Sequence, residues 1–74
     1  MTESIVHIEL ADPEGQLLEE IANPAMKRKD VAQTYRLALR SADRVSWGIV
    51  NRAIISRWSV SALEWIKAEA FKSR

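Results

Sequence analysis

Residues 45–66 read VSWGIVNRAIISRWSVSALEWI, and this stretch decides the fold class. Its apolar residues recur every three or four positions, which is the period of an α-helix. Ser46 and Ser61 each precede such a run and are typical N-cap residues, and Glu64 follows Ser61 at the spacing of a capping box. The stretch therefore predicts two consecutive helices joined by a short link.

The first of these two helices has an apolar surface that covers well over half of its circumference. Its polar strip consists only of Gly48, Arg52 and Ser56. A helix that is apolar on most sides is usually buried on most sides. We therefore expect it to lie at the centre of the domain. Its apolar residues are Trp47, Ile49, Val50, Ala53, Ile54, Ile55 and Trp58.

Two more helices are predicted upstream of this stretch. Asp30 is expected to cap a second amphipathic helix, with Gln33 completing the capping box. Asp12 and Pro13 open a shorter first helix, which ends before Pro24 because the residue preceding a proline avoids the α region. The sequence thus predicts a mainly α fold, a small bundle of three main helices with a short N-terminal helix.

The N-terminal residues follow a different pattern. Residues 4–10 read SIVHIEL, in which apolar and polar residues alternate as they do in a β-strand. The rest of the sequence offers no second strand to pair with. We therefore predict that residues 1–11 form either an extended acidic arm or a lone strand that pairs outside the domain, and that residues 12–74 form the helical domain.

Composition argues against several classes of function. The chain has no cysteine and one histidine, His7, so an ordinary zinc site or a serine nucleophile activated by a neighbouring histidine is not expected. No glycine-rich phosphate loop is present, because Gly15 and Gly48 are isolated. The sequence has no apolar segment long enough to cross a bilayer, and we expect no signal peptide. We therefore predict a cytoplasmic protein that is not an enzyme, with no catalytic residue, cofactor, metal site or membrane contact.

Charge is divided unevenly along the chain, although the net charge is only +1. Residues 1–25 carry six acidic and no basic residues, whereas residues 26–74 carry eleven basic and four acidic residues. Such a division suggests a polyanionic partner, and we expect the basic helical face to bind DNA or RNA phosphates. An ordinary solvated face is the alternative interpretation. The predicted contacts are Lys27, Arg28, Lys29, Arg36, Arg40 and Arg52.

A second hypothesis is that the chain is a protein-interaction module, such as an inhibitor, an adaptor or a homodimer. Tryptophan is favoured at the centres of interfaces, and Trp65 projects away from the predicted core side of its helix. Leu37 is an apolar residue on the polar side of the second helix. The N-terminal arm would contribute strand pairing. The predicted interface residues are Ile5, Val6, Ile8, Leu37 and Trp65. We identify no motif of a known family.

Overall fold

The computed structural model describes residues 12–72 of the chain, and this part is built from helices. They are α1 (Pro13–Ala22), α2 (Arg28–Ala38), a 3₁₀ segment (Leu39–Arg44), α3 (Trp47–Arg57) and α4 (Val60–Phe71). Residues 12–72 contain no β-strand. The mainly α class is confirmed. The predictions for the arm, including those for Ile5, Val6 and Ile8, lie outside the described residues.

The four helices form a closed ring of contacts. α1 packs against α2 and α3, and α4 packs against the same two helices. α2 and α3 therefore occupy opposite corners, and their side chains meet at the edge of the core. There the Tyr35 hydroxyl donates to Asn51 Oδ1 at 2.8 Å, and the Tyr35 ring lies 4.7 Å from the Trp47 ring, centroid to centroid. The solvent-facing sides of α2 and α3 consequently point in opposite directions.

The core draws side chains from all four helices, including the first. Leu17 and Ile21 of α1 are buried as completely as the core residues of the longer helices. The prediction of three main helices with an accessory α1 is therefore not confirmed. The buried residues outside α1 are Val31, Ala32, Tyr35, Ala38, Val45, Val50, Ile54, Ala62, Leu63, Ile66 and Ala70.

α3 does not lie at the centre of the domain, and that prediction is wrong. Of its residues only Val50 and Ile54 are buried, while Ile49 is 49% exposed and Ile55 is also exposed. Trp47 and Trp58 are half-buried and pack against the edge of the core. A corner of a four-helix ring covers only about half of a helix, so part of the wide apolar surface of α3 remains in solvent.

Two helices begin earlier than predicted, α2 by three residues and α4 by two. α2 starts at Arg28, and Asp30 occupies its third position, where its carboxylate accepts a hydrogen bond from the Lys27 N–H at 3.2 Å. α4 starts at Val60, and Ser59 instead of Ser61 caps it, accepting from the Ala62 N–H at 3.2 Å. The predicted caps of α2 and α4 are therefore wrong in position, although α1 begins at Asp12 and Pro13 as expected.

Two long-range polar contacts fix how the helices meet. Arg57, near the end of α3, donates hydrogen bonds to the carbonyl oxygens of Ile21 and Met26, which lie at the end of α1 and just before α2. Glu14 of α1 accepts a hydrogen bond from the Ser46 N–H at 3.0 Å, at the start of α3. Ser46 is thus the N-cap of α3 by position, but its side chain makes no capping hydrogen bond.

Candidate nucleic-acid interface

The outer face of α2 carries a row of basic side chains. Lys29, Gln33 and Arg36 follow one another at intervals of four and three residues, so they lie on one side of the helix, and all three are exposed. Arg40, also exposed, comes four residues later in the 3₁₀ segment. The buried Tyr35 points to the opposite side, into the core. We call Lys29, Arg36 and Arg40 the basic ridge.

The cations of the basic ridge have no partner within the part of the chain that the structure describes. None of Lys29, Arg36 and Arg40 makes an ion pair or a side-chain hydrogen bond with any of residues 12–72. The ridge spans eleven helical steps, or about 16 Å along the helix. It is therefore an extended line of positive charge open to solvent.

Two further basic residues stand at the beginning of α2. Lys27 is exposed beside the first turn, where the unpaired N–H groups of a helix add partial positive charge. The Arg28 guanidinium lies over the ring of Trp65, 5.3 Å from its centroid. This cation–π contact links α2 to α4 and holds the Arg28 charge at the surface. Lys27 and Arg28 thus add two cations at the start of α2, beside the Asp30 carboxylate of its first turn.

Arg52 lies apart from the other five predicted contacts. It is exposed on α3, two residues from each of the buried Val50 and Ile54, which places it on the side of that helix opposite the core. Because α2 and α3 occupy opposite corners of the ring, Arg52 faces away from the basic ridge. The structure thus places three of the six predicted cations on one face of α2 and its extension, two at the start of α2, and Arg52 on another helix.

Two acidic residues of α1, Glu14 and Glu20, form hydrogen bonds, and neither bond involves the basic ridge. Glu14 accepts from the Ser46 N–H, and Glu20 accepts from Gln16 Nε2 at 2.8 Å. Asp30 accepts from the Lys27 backbone N–H at the first turn of α2. Within residues 12–72 the folded chain therefore does not neutralise the ridge by pairing it with its own carboxylates.

The predicted protein-interface residues that the structure describes differ in exposure. Trp65 is 38% exposed beside Arg28, whereas Leu37 is half-buried on α2. On α4 the sequence argument missed two more exposed apolar residues, Val60 at 57% and Phe71 at 65%. Val60 and Phe71 are eleven residues apart, so they lie on the same side of α4 and away from the buried Ile66. This spacing could have predicted their exposure.

The carboxylates and other titratable groups of residues 12–72 form no arrangement specific to metal binding. Burial raises the pKa of the Tyr35 phenol, and the hydrogen bond to Asn51 partly offsets that rise. Among residues 12–72 there is no group of three or more histidine or carboxylate side chains that could hold a metal ion. No helix in the same range is both long and apolar enough to span a bilayer.

No protein-family model matches this chain, and neither does any curated protein or solved structure. An indication of its partner must therefore come from its surface, where the basic ridge exposes three cations that are unpaired within residues 12–72.

Proposed function

We propose that this protein is a small cytoplasmic regulatory protein, without enzymatic activity, that binds nucleic acid along the outer face of α2. The observation that carries the proposal is the basic ridge, whose Lys29, Arg36 and Arg40 are exposed and unpaired within residues 12–72. A nucleic acid supplies a line of phosphates, and its neutralisation releases condensed counterions. The ridge of about 16 Å is long enough to place its three cations against about three successive phosphates of one strand.

The predicted binding is dominated by the phosphate backbone. Lysine and arginine contacts to phosphates position a protein without reading the sequence, whereas side chains that reach base edges specify it. Gln33 is the uncharged polar residue within the row, and an amide can pair with a base edge. We therefore expect little discrimination between sequences and a strong dependence on salt.

The expected salt dependence follows from the number of cations. For a duplex, the logarithm of affinity falls with the logarithm of salt by about 0.9 for each phosphate neutralised. Three contacts from the ridge would reduce affinity about 40-fold between 50 and 200 mM salt. Five contacts, with Lys27 and Arg28 included, would reduce it about 500-fold.

The test compares Arg36→Gln with Arg52→Gln, which remove the same charge from opposite sides of the domain. Fluorescence anisotropy with random duplex and single-stranded DNA and RNA, over a series of salt concentrations, measures affinity and slope. Arg36→Gln should weaken duplex binding about tenfold at 50 mM salt and make the slope shallower by about 0.9. Arg52→Gln should leave both nearly unchanged, and far-UV circular dichroism should show that both variants are folded.

Two results would reject this proposal. One is the absence of binding by the full chain to any of these nucleic acids at 50 mM salt or below. The other is an equal loss of affinity in Arg36→Gln and Arg52→Gln, because net charge alone would then explain the attraction. Replacing both Arg36 and Arg40 with Gln extends the test, and unchanged affinity would leave the ridge as an ordinary solvated face.

A second candidate function is binding to a protein partner, and the exposure of Trp65 favours it. An indole that is 38% exposed beside an arginine is a combination found at the centres of interfaces. Leu37 and the apolar arm residues Ile5, Val6 and Ile8 would extend such a contact. Nuclear magnetic resonance distinguishes the candidates, because nucleic acid should shift the side-chain resonances of Arg40, which a protein partner bound at Trp65 should leave unchanged.

A further inference from the structure

A stripe of four residues runs along the solvent side of α4. Val60, Glu64, Lys67 and Phe71 follow one another at intervals of four, three and four, so they lie on one side of the helix. We call these four residues the α4 stripe. Val60 and Phe71 are among the most exposed large apolar side chains of residues 12–72. The stripe thus has an apolar residue at each end and two charged residues between them.

The two charged residues of the α4 stripe are unpaired within the described part of the chain. Glu64 is exposed and Lys67 is half-buried, and neither makes an ion pair or a side-chain hydrogen bond with any of residues 12–72. They are only three residues apart, yet they do not contact each other. Farther along the helix, Lys72 and Glu69 do form an i, i+3 pair at 3.2 Å. Both central charges therefore remain open to an external partner.

The α4 stripe of one molecule is complementary to the α4 stripe of a second molecule that runs in the opposite direction. When two copies of α4 lie antiparallel about a twofold axis at the middle of the helix, Val60 of each copy faces Phe71 of the other. In the same register Glu64 faces Lys67, and the symmetry produces this pair twice. An isologous interface requires such self-complementarity, because the same patch occurs on both sides.

We propose that a second copy of this chain docks on the α4 stripe, with the two α4 helices antiparallel. Charge complementarity selects this occupant, because Glu64 of each copy faces Lys67 of the other when the two helices are antiparallel. α4 is about 18 Å long, and a stripe of four side chains buries less than the roughly 800 Å² per partner of a standard interface. The dimer is therefore weak. The proposal does not depend on nucleic-acid binding, since the basic ridge is on α2.

Charge reversal tests the register directly. Sedimentation equilibrium of the full chain from about 10 μM to 1 mM should show a concentration-dependent dimer, as expected for a small interface. Glu64→Lys places two lysines opposite each other at both symmetry-related positions, and Lys67→Glu does the same with two glutamates. Because each variant turns two attractions into repulsions, its dissociation constant should rise about tenfold or more.

The decisive sample is an equimolar mixture of the two variants. In a heterodimer of Glu64→Lys with Lys67→Glu, every opposing pair is attractive again, so its dissociation constant should return to within about threefold of the parent value. The chain that carries both changes should also dimerise like the parent. Recovery of dimerisation in the mixture additionally shows that both variants are folded.

Matched controls carry the same charge changes outside the α4 stripe. Glu19→Lys on α1 and Arg52→Glu on α3 alter exposed side chains, and both should dimerise like the parent. A parent chain that stays monomeric up to 1 mM would overturn the proposal. So would a dimer that Glu64→Lys and Lys67→Glu do not weaken, or a mixture that fails to recover, because the copies would then meet elsewhere or in another register.

Discussion

Replacing Arg57 with Met should destabilise the domain strongly, although Arg57 is a charged residue on a partly exposed helix. Its guanidinium donates to the carbonyl oxygens of Ile21 and Asn23 at 2.8 Å each, of Met26 at 2.9 Å and of Pro24 at 3.5 Å. These carbonyls belong to the end of α1 and the loop before α2. Arg57 thus joins α3 to the connection between the two preceding helices.

The expected loss can be worked out from these contacts. The bonds to Ile21 and Met26 are part-buried, and each such bond to a charged group contributes on the order of 1–1.5 kcal/mol after allowance for solvent. The guanidinium also lies 4.3 Å from the centroid of the Trp58 ring, a contact of about 0.5–1 kcal/mol. The total is about 3 kcal/mol, which would lower the melting temperature by about 12–24 °C in a domain of this size.

Arg52→Met is the matched control, because it makes the same substitution on the same helix. Arg52 is exposed and makes no hydrogen bond or ion pair with residues 12–72, so its replacement should change stability by less than about 0.5 kcal/mol. Arg57→Lys should fall between the two, since an ammonium has three donors but not the planar fork. Urea and thermal unfolding followed by circular dichroism measure all three. Equal stability of Arg57→Met and Arg52→Met would refute this account.

Three further substitutions test local energetics by urea unfolding. Tyr35→Phe should cost about 1 kcal/mol at neutral pH, because Asn51 loses its donor. Burial raises the Tyr35 pKa above 10.0. The phenol therefore contributes fully to stability below pH 10, and this contribution is lost as the pH rises through the folded-state pKa. The difference in stability between the parent and Tyr35→Phe should shrink over the same pH range. Gly48→Ala should stabilise by about 0.5–1 kcal/mol, since a Cβ there meets no neighbouring atom within 4 Å. Gly15→Ala should destabilise by about 1 kcal/mol, because its Cβ would displace the Asp12 carboxylate that caps α1. Stability changes of the same sign in the two glycine variants would contradict this reasoning.

Helices were predictable from the sequence because the signals for them are local. The period of the apolar residues and the pair Asp12 and Pro13 fix the type and start of α1 without reference to the rest of the chain. The first residue of a helix is harder to predict where two neighbouring side chains could each cap it. Ser59 and Ser61 are both good caps for α4, and Asp30 serves α2 from its third position instead of from its cap. Nothing in the immediate neighbourhood of these residues decides between the two roles.

The position of α3 in the ring could not be predicted from its own sequence. Ile49 and Val50 are adjacent and equally apolar, yet only Val50 is buried. A helix that is apolar on most sides gives no unique buried face, so the choice depends on its neighbours. Arg57 was missed for a related reason. A charged residue is expected to be exposed to solvent, and the carbonyl partners of Arg57 are 31 to 36 residues away in the chain.

The same limit applies to the candidate interface. Spacing places Lys29, Arg36 and Arg40 on one face, because the helical winding continues nearly without interruption from α2 to Arg40 in the 3₁₀ segment. Arg52 belongs to another helix, and its relation to the ridge depends on which corner of the ring α3 occupies. A sequence therefore predicts a line of charge within one helix more securely than a patch assembled from two.

The acidic side chains of α1 and the basic side chains of α2 are not paired with each other in the fold. The carboxylates of Glu14 and Glu20 are engaged by a backbone N–H of α3 and by a neighbouring amide, so they contribute to structure and not to neutralising α2. Within residues 12–72 the ion pair between Lys72 and Glu69 is exposed and includes no residue of the basic ridge. Exposed pairs of this kind contribute little to stability. The fold therefore does not need the charges of the ridge, and an external polyanion can use them without competing with the interactions that hold the domain together.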